Sequence, residues 1–183
     1  MNFNYRTFYI KDLIEIYSQL YLDERGYFFE SFNKDRLWKL GIPTDYVQDN
    51  VSYSTRGTLR GLHFQKYPYQ QGKLVRVLHG RIMDVAVDLR KDSPTFGKYL
   101  SLILDSNKNN ALYIPKGFAH GFLALEDSFL HYKCTDYYNP HSESGIFWKD
   151  PTLNIDWIEN PAQISPKDAR LPLFKDIDLA PVV

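Results

Sequence analysis

Only one of the 183 residues is a cysteine, Cys134, so the chain can build neither an internal disulfide nor a multi-cysteine zinc site. Cysteine this scarce suits a reducing compartment without requiring one. No apolar run approaches the roughly 18 residues that cross a bilayer. Met1 to Leu20 lacks a basic segment followed by an apolar one, so no secretory signal is expected. Neither sign of charge is in excess: 22 basic residues face 22 acidic ones, for a formal net charge of zero. That balance leaves no electrostatic footprint for nucleic acid or for an anionic membrane, although a local basic pocket is compatible with it. Dinucleotide-binding G-x-G-x-x-G, Walker A and G-x-S-x-G patterns are all missing, which removes Rossmann, P-loop and serine-elbow chemistry. Internal repeats, low-complexity tracts and linker-like shifts in composition are missing too.

What is present is apolar and aromatic. Hydrophobic residues make up 44% of the chain and aromatics 16%, led by 14 Tyr and 12 Phe. This is enough to bury a core, and it favours β-structure. Period-two patterning marks strands over Tyr46 to Ser54, Lys73 to His79, Ile82 to Arg90, Lys98 to Leu104, Ala111 to Ile114, Gly121 to Glu126 and Phe129 to Tyr138. Gly80 stands where a hairpin turn would join two of them. Helical signal is confined to Phe32 to Leu40 and to Ser165 to Ala169, the latter with Ser165 as N-cap and Pro166 at the first helical position. Many short strands imply a sandwich or a closed barrel, since their edges must be hidden. The expectation is a single all-β domain over residues 1–183, with a barrel core at about 46–138. Five of the ten prolines (Pro151, Pro161, Pro166, Pro172 and Pro181) fall in the last 33 residues. From about residue 151 to 183 the chain therefore reads as a wrapping segment without sheet pairing, anchored by Trp157 and by Leu171 to Phe174.

The densest cluster of chemistry-bearing residues lies between Arg56 and Lys73, RGTLRGLHFQKYPYQQGK. It holds Arg60 and Lys73, three glycines, and His63 between apolar Leu62 and Phe64. A histidine so placed serves either as a general base or as a core residue bonded to backbone. The neighbouring cations favour an anionic guest, because cations are rarely drawn inward without one. The histidine pair of metal-binding barrels is broken here by Gln65, a poor ligand for transition metals. No two of the five histidines stand two or four residues apart, so no catalytic metal is expected. Cys134 reads as an inert thiol within a strand. In Phe129 to Tyr138, alternation puts Leu130, Tyr132, Cys134 and Asp136 on one face and Phe129, His131 and Lys133 on the other. A tyrosine pointing inward needs either a backbone partner or a task.

Taken together, the segments GTLRGLHFQ, QGKLVRVLHGRIMDVAVDLRKDSPTFGKY, YIPKGFAHGF, YKCTDYYNPHSESGIFWKDPTLNIDW and ISPKDARLPL resemble the dTDP-4-dehydrorhamnose 3,5-epimerase family. The similarity runs in order from about Arg25 to about Leu173. It implies a cupin-like jelly-roll β-barrel that forms a cytoplasmic homodimer and works without metal or organic cofactor. The substrate it implies is a dTDP-linked 4-keto-6-deoxyhexose, inverted at the two carbons flanking the ketone. It assigns His63 as the base, Asp168 as its carboxylate partner, Lys73 as the cation that holds the enolate oxygen, and Tyr132 as the acid on the opposite face. Arg60 and Arg25 become pyrophosphate clamps, while Glu30, Gln48 and Asn50 line the nucleotide and sugar pocket. His120, Tyr138, Glu143 and Lys167 take the remaining substrate-contact positions, and Tyr27 is a candidate to stack on the base across a dimer. His131 departs from the family pattern, and alternation places it outside the barrel. Single-centre epimerases, a sugar-nucleotide ketoisomerase, a non-catalytic sugar-nucleotide-binding barrel and a cupin dioxygenase are the alternative readings.

Overall fold

The computed structural model describes residues 4–180; Pro181 of the expected wrapping segment lies outside them. In chain order the strands are β1 (Asn4–Thr7), β2 (Ile14–Tyr17), β3 (Leu20–Asp23), β4 (Gly26–Phe29), β5 (Gln48–Ser54), β6 (Thr58–Gln65) and β7 (Lys73–His79). They continue with β8 (Arg81–Asp88), β9 (Tyr99–Asp105), β10 (Asn110–Ile114), β11 (Phe118–Ala124), β12 (Ser128–Cys134), β13 (Glu143–Gly145) and β14 (Gln163–Ile164). Among the described residues there is a single α-helix, α1 (Lys34–Lys39), ahead of β5; its N-terminus is capped by Asn33, whose Oδ1 accepts from the Arg36 amide at 3.1 Å.

Two six-stranded sheets face each other as a jelly-roll barrel. The first runs β1-β2-β10-β7-β12-β5 and the second β13-β6-β11-β8-β9, with β14 added beside β6. Between the sheets lies a core of Val75, Val77, Ile82, Ala86, Leu102, Leu104, Leu112, Ile114, Phe118, Phe122 and Leu130. The second sheet is buried on its outer face as well. There Leu59, Leu62, Phe64, Val85 and Leu123 pack against Trp148, Ile155, Trp157, Ile164 and Phe174. Burial on both faces is why β8 and β11 read as nearly continuous apolar runs rather than as clean alternation. The helix α1 covers the outer face of the first sheet, where Leu37 and Ile42 meet Ile16, Leu74 and Tyr113.

Three expectations are corrected. Gly80, at φ +79°, does turn the chain, but β7 and β8 lie in different sheets, so the connection crosses the barrel and makes no hairpin. Both flanking strands are apolar because both face the core, a pattern that does not say which neighbour each one pairs with. Ser165 to Ala169 forms no α-helix. Only a 3₁₀ turn forms, over Asp168–Arg170, although Ser165 Oγ still accepts from the Asp168 amide at 3.0 Å. Last, the C-terminal segment does pair: Gln163 and Ile164 lie parallel to Thr58 and Leu59. These two residues fall between Pro161 and Pro166, so their ladder groups are free.

Candidate active site

Position in the strands decides which side chains meet inside the barrel. Along β5 the residues alternate, with Asp49, Val51 and Tyr53 exposed and Gln48, Asn50 and Ser52 half-buried on the inner face. Polar residues thus point inward, the reverse of an ordinary amphipathic strand, and they line a cleft rather than a core. Beside them on β12, Tyr132 is in register with Asn50 and Leu130 with Ser52. On β7, Lys73 is in register with Cys134. His131 lies on the other face of β12, as alternation expects.

The facing wall is built from β6 and β11. His63 and His120 are cross-strand partners, and beyond them the register slips before Arg60 meets Phe122. The slip is a bulge, a device that re-aims side chains. It depends on a close approach of two glycines: a Cβ on Gly61, at φ +121°, would lie 2.6 Å from Gly121 Cα. Two cavities of about 500 and about 310 Å³ share His63, Lys73 and Tyr132 as lining residues. They are the two lobes of one cleft, of a size that suits a small-molecule ligand.

His63 Nε2 lies 2.7 Å from Asp168 Oδ1, while Asp168 Oδ2 accepts from the Gly61 amide at 3.1 Å. Burial pushes the Asp168 carboxyl up, but the hydrogen bonds from His63, Gly61 and Ser165 and the nearby imidazole outweigh it and hold the carboxyl below the ordinary range. An ionised carboxylate fixes the proton on Nε2 and leaves Nδ1 with a free lone pair. Such an imidazole is oriented to act as a base. His120 repeats the arrangement, with its Nε2 2.7 Å from Asp84 Oδ1. The sequence reading missed Asp84. Its signal is a lone carboxylate within the otherwise apolar run IMDVAV, and it is fully buried.

Across the cleft, Lys73 Nζ has no hydrogen bond or ion pair among the described residues; it stands over the Tyr132 ring, 5.8 Å from the centroid. Desolvation pulls the ammonium below its ordinary value, against the opposing pull of Cys134, Asp84 and Glu143. The Tyr132 phenol is pushed up, first by burial and then by Cys134, so it keeps its proton. One wall therefore offers an imidazole base, and the other offers a cation and a phenol.

Most of the expected contact residues gather here. Arg60 lines the larger lobe, held by Ser54 Oγ at 2.9 Å and the Tyr53 carbonyl at 3.0 Å. At the smaller lobe, Gln48 Nε2 donates to Asn50 Oδ1 at 2.9 Å and Gln48 Oε1 accepts from the Tyr138 amide at 3.0 Å. Tyr138 OH donates to Glu143 Oε2 at 2.8 Å, and the same oxygen meets Lys167 Nζ at 2.6 Å. Three residues stay away from both lobes. Arg25 sits at the β3–β4 turn paired to Asp23 at 2.6 Å, Glu30 is paired to Arg36 at 3.2 Å, and Tyr27 is exposed beside Phe29.

The sequence profile of the dTDP-4-dehydrorhamnose 3,5-epimerase family matches residues 7–176. The chain belongs to this family. It is 48% identical over 165 residues to the dTDP-4-dehydrorhamnose 3,5-epimerase of Escherichia coli, covering 88% of this chain and 89% of that one. A Legionella pneumophila 3,5-epimerase solved with dTDP-4-keto-L-rhamnose superposes at a TM-score of 0.94 with 48% identity, covering 98% of each chain. A Streptomyces bikiniensis 3′-monoepimerase bound to dTDP-quinovose is more distant. Its TM-score is 0.84 at 32% identity, over 91% of this chain and 85% of that one. Among the described residues no helix is long and apolar enough to cross a membrane.

Proposed function

We propose that the protein inverts C3 and C5 of dTDP-4-dehydro-6-deoxy-D-glucose to give dTDP-4-dehydro-L-rhamnose, using the cleft between its two sheets. The observation that carries this reading is the placement of a dyad-held imidazole on one wall and a phenol with an unpaired cation on the other. Hydrogens next to a ketone are acidic because the carbanion left behind delocalises onto the ketone oxygen. His63 Nδ1 takes the proton from one face of the ring, and Asp168 stabilises the imidazolium that forms. Lys73 neutralises the enolate oxygen at C4, a contribution of about 3–4 kcal/mol for a donor aimed at developing charge. Tyr132 then returns a proton from the opposite wall, and delivery to the other face is what inverts the centre. Both carbons adjoin the ketone, so the same three groups serve each in turn, once His63 has released its proton to solvent and Tyr132 has taken one up from it. General acid–base catalysis by each positioned group is worth about 10²–10⁴-fold.

Arg60 is proposed to clamp the pyrophosphate, with Gln48, Asn50, His120, Tyr138, Glu143 and Lys167 holding the nucleotide and the sugar. Arg25, Glu30 and Tyr27 fit the same scheme as contacts made to a second copy in a homodimer. The β3–β4 hairpin that carries two of them exposes Leu22 at 77% and Phe28 at 68%, apolar area that a partner would cover. The outer face of the first sheet adds exposed Val51, Tyr53, Leu78 and Phe129. The place of work is the cytoplasm, in keeping with the unpaired thiol of Cys134.

The test is incubation with dTDP-4-keto-6-deoxyglucose in D₂O followed by NMR. Deuterium at both C3 and C5 is expected, and His63→Ala should abolish incorporation at both while still binding dTDP. Label at one carbon alone would make the protein a single-centre epimerase. Normal turnover by His63→Ala would remove the mechanism.

A further inference from the structure

The two walls of the cleft differ in how their polar groups are occupied. On the second sheet His63 Nε2 is held by Asp168, His120 Nε2 by Asp84, and Arg60 by Ser54 and the Tyr53 carbonyl, and of the acceptors there Asp84 Oδ2 is buried without a protein partner among the described residues. On the first sheet Lys73 Nζ and the Tyr132 hydroxyl have none among the described residues, and the Ser52 hydroxyl shares this condition. Ser52 lines the larger lobe, yet its Oγ is buried and makes no hydrogen bond. A buried hydroxyl left without a partner is costly, and natural folds rarely keep one without a use for it.

Register locates it further. On the inner face of β5, Ser52 follows Asn50, the cross-strand partner of Tyr132, and precedes Ser54, which holds Arg60 Nε. Ser52 therefore stands between the proposed proton donor and the proposed pyrophosphate clamp, on the stretch of wall that a sugar bridging the two would lie along. Its direct neighbour on β12 is Leu130, an apolar side chain that can offer it no hydrogen bond. Turning about χ1 breaks no existing bond, so the hydroxyl is free to swing toward a ligand.

We infer that Ser52 is a substrate-positioning residue whose Oγ hydrogen-bonds a hydroxyl of the hexose, fixing the ring against the Lys73–Tyr132 wall. This rests on the sugar-nucleotide reading of the cleft given above. The hydroxyl engages the sugar and not the nucleotide, because the pyrophosphate already has Arg60 as a charged partner.

Ser52→Ala tests it, with affinities measured by calorimetry for dTDP alone and for the dTDP-linked 4-keto sugar, alongside KM and thermal unfolding. Expected are a KM and a sugar-nucleotide Kd raised about tenfold, the loss of one hydrogen bond. The Kd for dTDP should stay unchanged, as should the melting temperature, because no protein hydrogen bond is lost. Ser52→Thr, which keeps the hydroxyl, should recover most of the affinity. Unchanged KM in Ser52→Ala, or equal weakening toward dTDP and the sugar nucleotide, would overturn the inference while leaving the epimerase reading intact. Failure of the unaltered protein to bind the sugar nucleotide would overturn both.

Discussion

The ammonium of Lys73 and the phenol of Tyr132 share one wall of the cleft, and burial moves their proton affinities apart. Desolvation lowers the lysine from its ordinary 10.5, whereas burial raises the tyrosine above its ordinary 10.0. Both must be protonated in the proposed chemistry, the first to hold the enolate oxygen and the second to deliver a proton. As pH rises, Lys73 is thus the one displaced toward earlier loss of its proton, and activity should fall with it. The expected kcat/KM profile has an alkaline limb below the ordinary lysine value that belongs to Lys73. Lys73→Arg keeps its charge at any accessible pH, so it should lose that limb while turning over more slowly. Lys73→Met should lower kcat by about 10²–10³-fold at pH values below that limb, where the unaltered enzyme still holds its cation. An alkaline limb that stays put in Lys73→Arg would assign it to another group.

At the scale of the strands, the site depends on how closely β6 and β11 approach. A Cβ on Gly121 would stand 2.7 Å from the Arg60 carbonyl oxygen and 2.9 Å from Leu62 Cδ2. The first of these is backbone and cannot swing aside. Gly121→Ala should therefore push β6 away from β11 beside the His63–His120 pair. The expected cost is about 1–3 kcal/mol in urea unfolding, typical of overpacking, together with a lower kcat as His63 leaves its place. Unchanged stability and turnover would mean that the contact is softer than its geometry implies. The strand β6 also marks the limit of what the sequence made legible. Seven strands could be read from alternation or from apolar runs between turn-formers, but β6 could not, because Arg60 and Gly61 interrupt its pattern. Its residues stood out for their chemistry instead. The roles of His63, Lys73, Tyr132 and Asp168 came from motif resemblance, and the structure brings Asp168 to His63 across a separation of 105 residues. Asp84 and Ser52 escaped notice because a lone carboxylate or hydroxyl in a strand has no motif. Only the pairing of β5 with β12 and of β8 with β11 shows what each one faces.

For the whole molecule, the open question is which cleft the β3–β4 hairpin serves. Arg25 is exposed at its turn and, among the described residues, paired only to neighbouring Asp23, an exposed ion pair of little energetic weight. It is thus available to a phosphate supplied from outside its own barrel. In a two-fold homodimer the same patch serves both copies, so each hairpin would reach the other's site. Mixed dimers decide the matter. Arg25→Ala leaves its own His63 intact but weakens the clamp it lends, and His63→Ala does the reverse. Each variant alone should be impaired. Mixing the two, with subunit exchange allowed, should recover activity, because the Arg25→Ala copy keeps a working base and receives an intact hairpin from its partner. If each hairpin served its own barrel, no combination of these two chains would contain a complete site, and mixing would restore nothing. Recovery that rises with protein concentration, and vanishes on dilution below the dimer's dissociation constant, would place the complete site in the assembly and not in the single chain.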